Sequence, residues 1–347
     1  MSFFIGNHEL GVGPCYIIAE VGSNHDGIKS RAFEMVRRAA MAGANAVKFQ
    51  LFKADKIAAN IDLPETRLND QFSKFGSIVY DLYKNMELDP SWLKELKACC
   101  DENRIDFLAT PFDESSADIL AELGLSAIKA ASFEITHIPL LKHLGTLGLP
   151  VLLSTGMANL GEIETAINTI RNAGEERIAI FHCGIEYPAP FESVNLRCIE
   201  TLRLAFGCPV GYSDHTEGIS VPIAAVALGA VLYEKHVTLS GGRSPDHDFA
   251  IEMDEFEKMV LCMRQCEKAL GSNTKKVQAT ELKHLLRGRR SIFVVSDMKE
   301  GETFTKDNLA ILRPGIGISP SRYEGILDKK SLHDIKAPYL LKEGDWH

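Results

Sequence analysis

The residues best suited to chemistry lie between Gly211 and His247. Gly211-Tyr212-Ser213-Asp214-His215-Thr216 leads into an Ala/Val-rich segment ending at Gly229. Val231-Leu232-Tyr233-Glu234-Lys235-His236 and Ser244-Pro245-Asp246-His247 follow. The pattern reads as strand end, helix, strand end and loop. It brings the imidazoles of His215 and His236, the carboxylates of Asp214, Glu234 and Asp246, and the Ser213 hydroxyl to one edge of a sheet. Residues two apart in an extended segment share a direction, which aligns Ser213 with His215 and Glu234 with His236. A lone histidine closing an apolar run is ordinarily a packed residue. Two, each beside an aligned polar group, point to a divalent-metal site.

The elements that position these groups recur along the chain. Apolar β-rich runs fall near residues 15–20, 45–50, 105–110, 126–131, 150–154, 177–183, 208–213 and 230–236. Helical segments between them end at glycines such as Gly43, Gly124, Gly148, Gly174, Gly207 and Gly229. Strand alternating with helix implies parallel pairing. Eight such units predict an α/β fold, a closed (β/α)8 TIM barrel. Glu20, Lys48, Gln50, Thr110, Lys129, Ser132, Ser154, Ser213, His215, Glu234 and His236 then lie at or just past strand carboxyl ends. That rim is where barrel active sites form.

Lys48 and Lys129 stand inside apolar runs, Ala-Val-Lys-Phe and Ala-Ile-Lys-Ala. A charge there is costly unless it meets an anion. The polar stretch 60–83 is longer than an ordinary βα loop and reads as a lid or side wall. Tyr187, before Pro188, reads as a fixed loop aromatic that serves either a substrate or loop packing.

Composition sets the bounds. The chain has 347 residues, 45% hydrophobic and 24% charged, with a net charge of -9 and no long basic run. Nucleic acid and membrane are not the expected partners. The start lacks the basic and apolar regions of a signal peptide, and eight scattered cysteines without a CxxC suit reduced thiols, so a cytoplasmic location is expected. After the barrel (1–272) and a polar linker (273–288), residues 289–347 show short β runs and turns, a small β-rich domain.

These motifs together resemble the sialic acid synthase family. The resemblance runs through Ile17 to Glu20, Val47 to Gln50, Thr110-Pro111-Phe112, Lys129 to Glu134, Leu153 to Met157, Tyr187 to Pro190, Gly211 to Thr216, Glu234-Lys235-His236, Pro245-Asp246-His247 and Arg313-Pro314-Gly315. It implies a barrel followed by an antifreeze-protein-like domain, in a domain-swapped homodimer. It also implies a condensation of phosphoenolpyruvate with an N-acylated aminosugar. By position, a divalent metal (Mn2+, with Mg2+ or Co2+ as options) is implied on His215 and His236. Phosphoenolpyruvate falls to Lys48, Thr110, Lys129, Ser132, Ser154 and Ser213, and the sugar to Gln50, Glu134, Tyr187, Asp246 and Arg313. Glu20 and Glu234 stand as the catalytic carboxylates beside the two histidines. The chain departs from the family at Ile185, where Asn or Ser is common, and in the lid near Lys74. Both departures bear on the sugar, which is N-acetylmannosamine or a 2,4-diacetamido-6-deoxyhexose. Two other functions fit the residues alone: a Schiff-base aldolase using Lys48 or Lys129, and a non-catalytic sugar-binding protein.

Overall fold

A computed structural model describes residues 2–69 and 72–347. It divides into two compact units, Met1–Gly271 and Ser272–His347. Eight parallel strands build the first: β1 (Tyr16–Glu20), β2 (Ala46–Leu51), β3 (Asp106–Pro111), β4 (Ile128–Ala130), β5 (Val151–Ser154), β6 (Ile178–Cys183), β7 (Val210–Asp214) and β8 (Leu232–Thr238). Each pairs with the next, and β8 also pairs with β1, so the sheet closes into the (β/α)8 barrel. β4 is shorter than the run 126–131 from which it was expected. Ser126 turns its hydroxyl onto Asp106 at 2.9 Å, and Ser132–Glu134 already forms a 3-10 turn.

Side chains alternate across a strand, and that alternation organises the barrel. The inward positions Ile18, Ala46, Leu108, Ala127, Leu152, Phe181 and Leu232 belong to one buried apolar cluster. Two residues further along each strand come Glu20, Lys48, Thr110, Lys129, Ser154, Cys183 and Glu234, which line a cavity. Outward positions such as Ile17, Val47, Phe107, Leu153 and Ile180 pack in the larger core shared with the helices. The helix Lys29–Met41 buries Ala32, Met35, Val36 and Ala39 in that core, a single stripe at helical spacing. Truncating a fully buried residue such as Ile17 to Ala costs about 2–5 kcal/mol.

The opposite end of the barrel is closed by a hairpin not anticipated from the sequence, Phe4–Ile5 paired with His8–Glu9. Phe3, Ile5 and Leu10 join the inner apolar cluster there. Asp106 accepts from Tyr16 Oη at 2.6 Å on the same side.

The second unit holds a three-stranded antiparallel sheet of β9 (Ser291–Val294), β10 (Leu309–Leu312) and β11 (Tyr339–Leu340), with β9 in the middle. Its core includes Ile292, Val294, Met298, Phe304 and Leu341. The segment read as a linker carries a 3-10 turn, Ala279–Glu281, and a helix, Leu282–Gly288. Among the described residues no helix is long and apolar enough to cross a membrane.

Candidate active site

At the carboxyl ends of the strands the barrel opens into a cavity of about 350 Å³. Its floor is an ionic cluster. Lys48 Nζ lies 2.9 Å from Glu20 Oε2, 3.0 Å from Thr110 Oγ1 and 3.5 Å from Glu234 Oε1. Lys129 Nζ lies 3.2 and 3.1 Å from the two Glu234 oxygens and 4.6 Å over the Phe181 ring. Ser213 donates to Glu234 Oε1 at 3.3 Å, and Gln50 Nε2 to Glu20 Oε1 at 2.7 Å. All four charged groups are buried. The register explains the meeting: Glu20 stands opposite Lys48 on β1 and β2, and Glu234 opposite Ser213 on β8 and β7.

The environment separates the two glutamates. Burial pushes the Glu20 carboxyl up, and Lys48 only partly opposes it. Burial acts on Glu234 too, but Lys129 and Lys48 together outweigh it and hold that carboxyl down. Burial lowers Lys129 despite Glu234, whereas Glu20 and Glu234 overcome burial at Lys48 and raise it.

His215 and His236 stand beside this cluster with ring centroids 5.5 Å apart. His215 Nδ1 lies 2.8 Å from Gly184 O. A carbonyl only accepts, so that nitrogen carries the proton and Nε2 presents a lone pair. Burial pushes His215 down to about 4, and burial with the charges of His215 and Lys48 lowers His236 further. Among the described residues His236 Nδ1 is buried without a hydrogen-bond partner; the carboxylate oxygen Asp246 Oδ2 is 3.8 Å away. Among the described residues no three His, Cys, Asp or Glu side chains gather as a ready metal cage. Two neutral imidazoles, one with an orphaned ring nitrogen, suit a divalent cation that completes its shell from substrate and water.

Above the charges the walls turn apolar. Phe72, Leu82 and Tyr83 come from the long segment read as a side wall, and Met86 from the end of the helix just beyond it, together with Phe112, Phe133, Ile185 and Phe249. Asp70 and Gln71 of that segment lie outside the described residues. Tyr187 stacks near His215, with ring centroids 4.2 Å apart, and 4.8 Å from Phe249. Lys74, half exposed, faces Asp248 at 3.8 Å and does not line the cavity.

Of the residues singled out from the sequence, Glu20, Lys48, Gln50, Thr110, Lys129, Ser132, Ser154, Tyr187, Ser213, His215, Glu234, His236 and Asp246 line this one cavity. Glu134 does not; it lines a neighbouring one with Tyr83, Phe112, Phe133 and His137, and burial raises its carboxyl. Arg313 belongs to the second unit, where its Nε donates to Gly288 O at 3.0 Å. Asp214, one of the three carboxylates expected at the edge, points away from it. It sits one position beyond the inward Ser213, and its carboxylate takes Lys235 at 2.5 Å on the outer face.

Two site features escaped the sequence reading. Cys183 Sγ lies 2.9 Å from Ser132 Oγ, which also accepts from Gly156 N at 3.0 Å. A thiol in an apolar run reads as core, yet it is two residues past Phe181 and so inward. The loop after β1 is the second. Ser23 N donates to Asp246 Oδ2 at 2.8 Å, and a Cβ on Gly22 (φ +52°) would fall 2.3 Å from that oxygen. Asp26 and Arg31 tie the same loop to the segment 239–244.

A closed parallel barrel carrying buried lysines, carboxylates and imidazoles at its carboxyl rim defines a barrel enzyme. Residues 35–275 match the NeuB family and residues 289–338 the SAF domain; the chain belongs to the NeuB family. It is 42% identical over 331 residues to the N,N'-diacetyllegionaminic acid synthase of Campylobacter jejuni, covering 94% of this chain and 98% of that one. It is 38% identical over 332 residues to the synthase of the same name from Legionella pneumophila, covering 94% and 93%. Among solved structures, the N-acetylneuraminic acid synthetase of Leptospira borgpetersenii, in complex with citrate, matches with a TM-score of 0.70 at 33% identity over 82% of this chain and 95% of that chain.

Proposed function

We propose that the enzyme condenses phosphoenolpyruvate with an open-chain N-acylated aminosugar, giving a nonulosonic acid and inorganic phosphate. One observation carries the reading. Two buried ammonium groups, Lys48 and Lys129, share a cavity with two neutral imidazoles, with hydroxyls at Thr110, Ser132, Ser154 and Ser213 around them. Cations and hydroxyls suit a small phosphate-and-carboxylate ligand. The imidazoles suit a divalent ion, Mn2+ foremost, on His215 and His236. When bound, such an ion polarises the sugar aldehyde and offsets the charge developing on its oxygen.

The enol phosphate is nucleophilic at C3, which forms the new bond to the aldehyde carbon. Positive charge then develops at C2, water adds there, and the C2–O bond to phosphate breaks. Lys48 and Lys129 hold the phosphate and carboxylate and keep C3 near the aldehyde. Glu20, the carboxyl raised by burial, suits the proton taken from the water. Glu234, held ionised by both lysines, suits a fixed anion that keeps them in place.

For the sugar we favour a 2,4-diacetamido-6-deoxyhexose over N-acetylmannosamine. The apolar wall of Phe72, Phe133 and Ile185 supports this, as do the names of the two legionaminic relatives. We assign the reaction to the cytoplasm, which suits eight free cysteines. We further assign Arg313 of a domain-swapped partner to the N-acyl end of the sugar.

The test is phosphate release from phosphoenolpyruvate with a panel of N-acyl hexosamines, with and without chelator. Release that depends on sugar and is reversibly lost in chelator is expected. No release with any sugar rejects the condensation, and full turnover in metal-free enzyme rejects the metal. The lowered Lys129 is the feature that favours a Schiff-base aldolase. Borohydride trapping of pyruvate on that lysine would favour it; absence of trapping is expected, because Glu234 pairs with Lys129 through both oxygens.

A further inference from the structure

Behind the rim, on the outer face of β7 and β8, lies a polar cluster that the proposed chemistry does not use. Asp214, Thr216, Tyr233 and Lys235 are all buried. Asp214 Oδ2 accepts from Lys235 Nζ at 2.5 Å and from Tyr233 Oη. Asp214 Oδ1 accepts from Thr216 N at 2.9 Å and Thr216 Oγ1 at 2.8 Å. Lys235 Nζ makes a second bond, to Thr216 O at 2.6 Å. Each carboxylate oxygen is thus satisfied twice, and the ammonium bridges both ends of one tripeptide.

That tripeptide is Asp214-His215-Thr216, and the residue after Lys235 is His236. The two imidazoles therefore leave the backbone from points that the cluster ties together. Lys235 stands opposite Asp214 in the β8–β7 register, so the clamp crosses the strand boundary between the two rings. On the inner side, the hydrogen bonds of His215 among the described residues are from its ring to Gly184 O and from Ala189 N to its carbonyl, at 2.9 Å, with Tyr187 stacked on the ring. The His236 ring nitrogen Nδ1 has no hydrogen-bond partner among the described residues.

A buried ion pair is a poor stabiliser, because desolvation of both charges consumes most of their attraction, and apolar residues of similar volume often do as well. Its best-attested use is to specify one arrangement. We propose that Asp214, Lys235 and Tyr233 are positioning residues that set the separation and direction of His215 and His236, and through them the affinity for the divalent ion. The inference rests on the assignment of those histidines as metal ligands.

The test is Mn2+ binding by the metal-free enzyme, measured by calorimetry with Mn2+ alone. It is run on the Asp214→Asn/Lys235→Met double variant, which leaves no net buried charge, and on Tyr233→Phe, which removes one hydrogen bond. The double variant is expected to unfold cooperatively and to bind Mn2+ at least about tenfold more weakly, the usual effect of losing a group that orients a ligand. Tyr233→Phe is expected to weaken binding less, with the metal concentration for half-maximal activity rising more than kcat falls. Should the double variant fail to fold, Tyr233→Phe decides alone. Unchanged Mn2+ affinity with a lowered Tm would show a merely structural cluster and overturn the inference. His215→Ala and His236→Ala distinguish the deeper failure: Mn2+ binding that survives both removes the ligand assignment, and the positioning role with it.

Discussion

Lys129 and Glu234 meet across the barrel, from strands β4 and β8, with the ammonium 3.1 and 3.2 Å from the two carboxylate oxygens. Neither strand neighbours the other in the sheet. The pair therefore spans the floor of the cavity, and an anionic ligand that reaches Lys129 from above would share that ammonium with Glu234.

In the proposed binding mode, Lys129→Ala removes a charge-assisted contact to phosphoenolpyruvate and none to the sugar. The KM for phosphoenolpyruvate is expected to rise about tenfold to a hundredfold, matching a loss of about 1.5–3 kcal/mol. The KM for the sugar should change far less. Steady-state kinetics with each substrate varied in turn check this; equal effects on both would make Lys129 a structural or proton-transfer group.

Ile185 lines the cavity and approaches Gly156, whose Cβ would meet its Cγ2 at 2.7 Å. An apolar group there disfavours a hydroxyl-rich sugar. Ile185→Ser is expected to shift the kcat/KM ratio toward N-acetylmannosamine by about tenfold. Unaltered enzyme that already prefers N-acetylmannosamine strongly over its 2,4-diacetamido-6-deoxy relatives would contradict the assignment.

Gly22 has room for no side chain. Gly22→Ala must move Asp246 and also place a non-glycine residue at φ +52°. A rise in the KM for the sugar is expected, with that for phosphoenolpyruvate nearly constant and stability lower by about 1 kcal/mol. An unchanged sugar KM would place Asp246 outside the sugar site.

Stability should fall in mild acid, and His25 is one reason. Burial pushes its pKa down to about 4, with Asp26 pulling weakly upward. An unfolded histidine titrates near about 6.5. Between those values the unfolded chain binds a proton that the folded chain refuses, so stability rises with pH through that window and levels off above it. The full span is about 3 kcal/mol for one such ring. His25→Gln should lessen the slope of unfolding free energy against pH, which denaturant titrations at several pH values measure. His215, also held near about 4, contributes in the same window, so the slope should not vanish. An unaltered slope would mean that His25 takes up its proton without unfolding.

Subunit mixing tests the proposed swap. Lys129→Ala and Arg313→Ala chains are unfolded and refolded together. In a swapped heterodimer, the barrel that keeps Lys129 receives the intact Arg313 of its partner, and activity returns. If each small domain serves its own barrel, every site lacks one residue and mixing restores nothing.

The eight strands were legible because each is an apolar run bounded by turn residues. The rim was legible because strand ends are fixed points once the barrel is assumed. Residues that depend on facing were harder. Asp214 and Ser213 are neighbours in sequence, yet alternation sends one to Lys235 outside and the other to Glu234 inside. Cys183 was passed over because a thiol is apolar in composition and polar only in place. Glu134 lies two residues past Ser132, and the 3-10 turn they share turns it toward the adjoining cavity. The hairpin at residues 4–9 was invisible because two-residue strands carry no periodicity.

That hairpin bears on how the chain folds. Phe3, Ile5 and Leu10 share one buried cluster with Leu232 as well as Tyr16, so the residues of the hairpin are completed by a cluster that includes the last strand of the barrel. Contacts this distant in sequence form slowly, because the loop entropy must be overcome before they can help. Until β8 closes the sheet, the hairpin's apolar side chains lack part of that cluster, and exposed apolar surface of this kind is prone to aggregate.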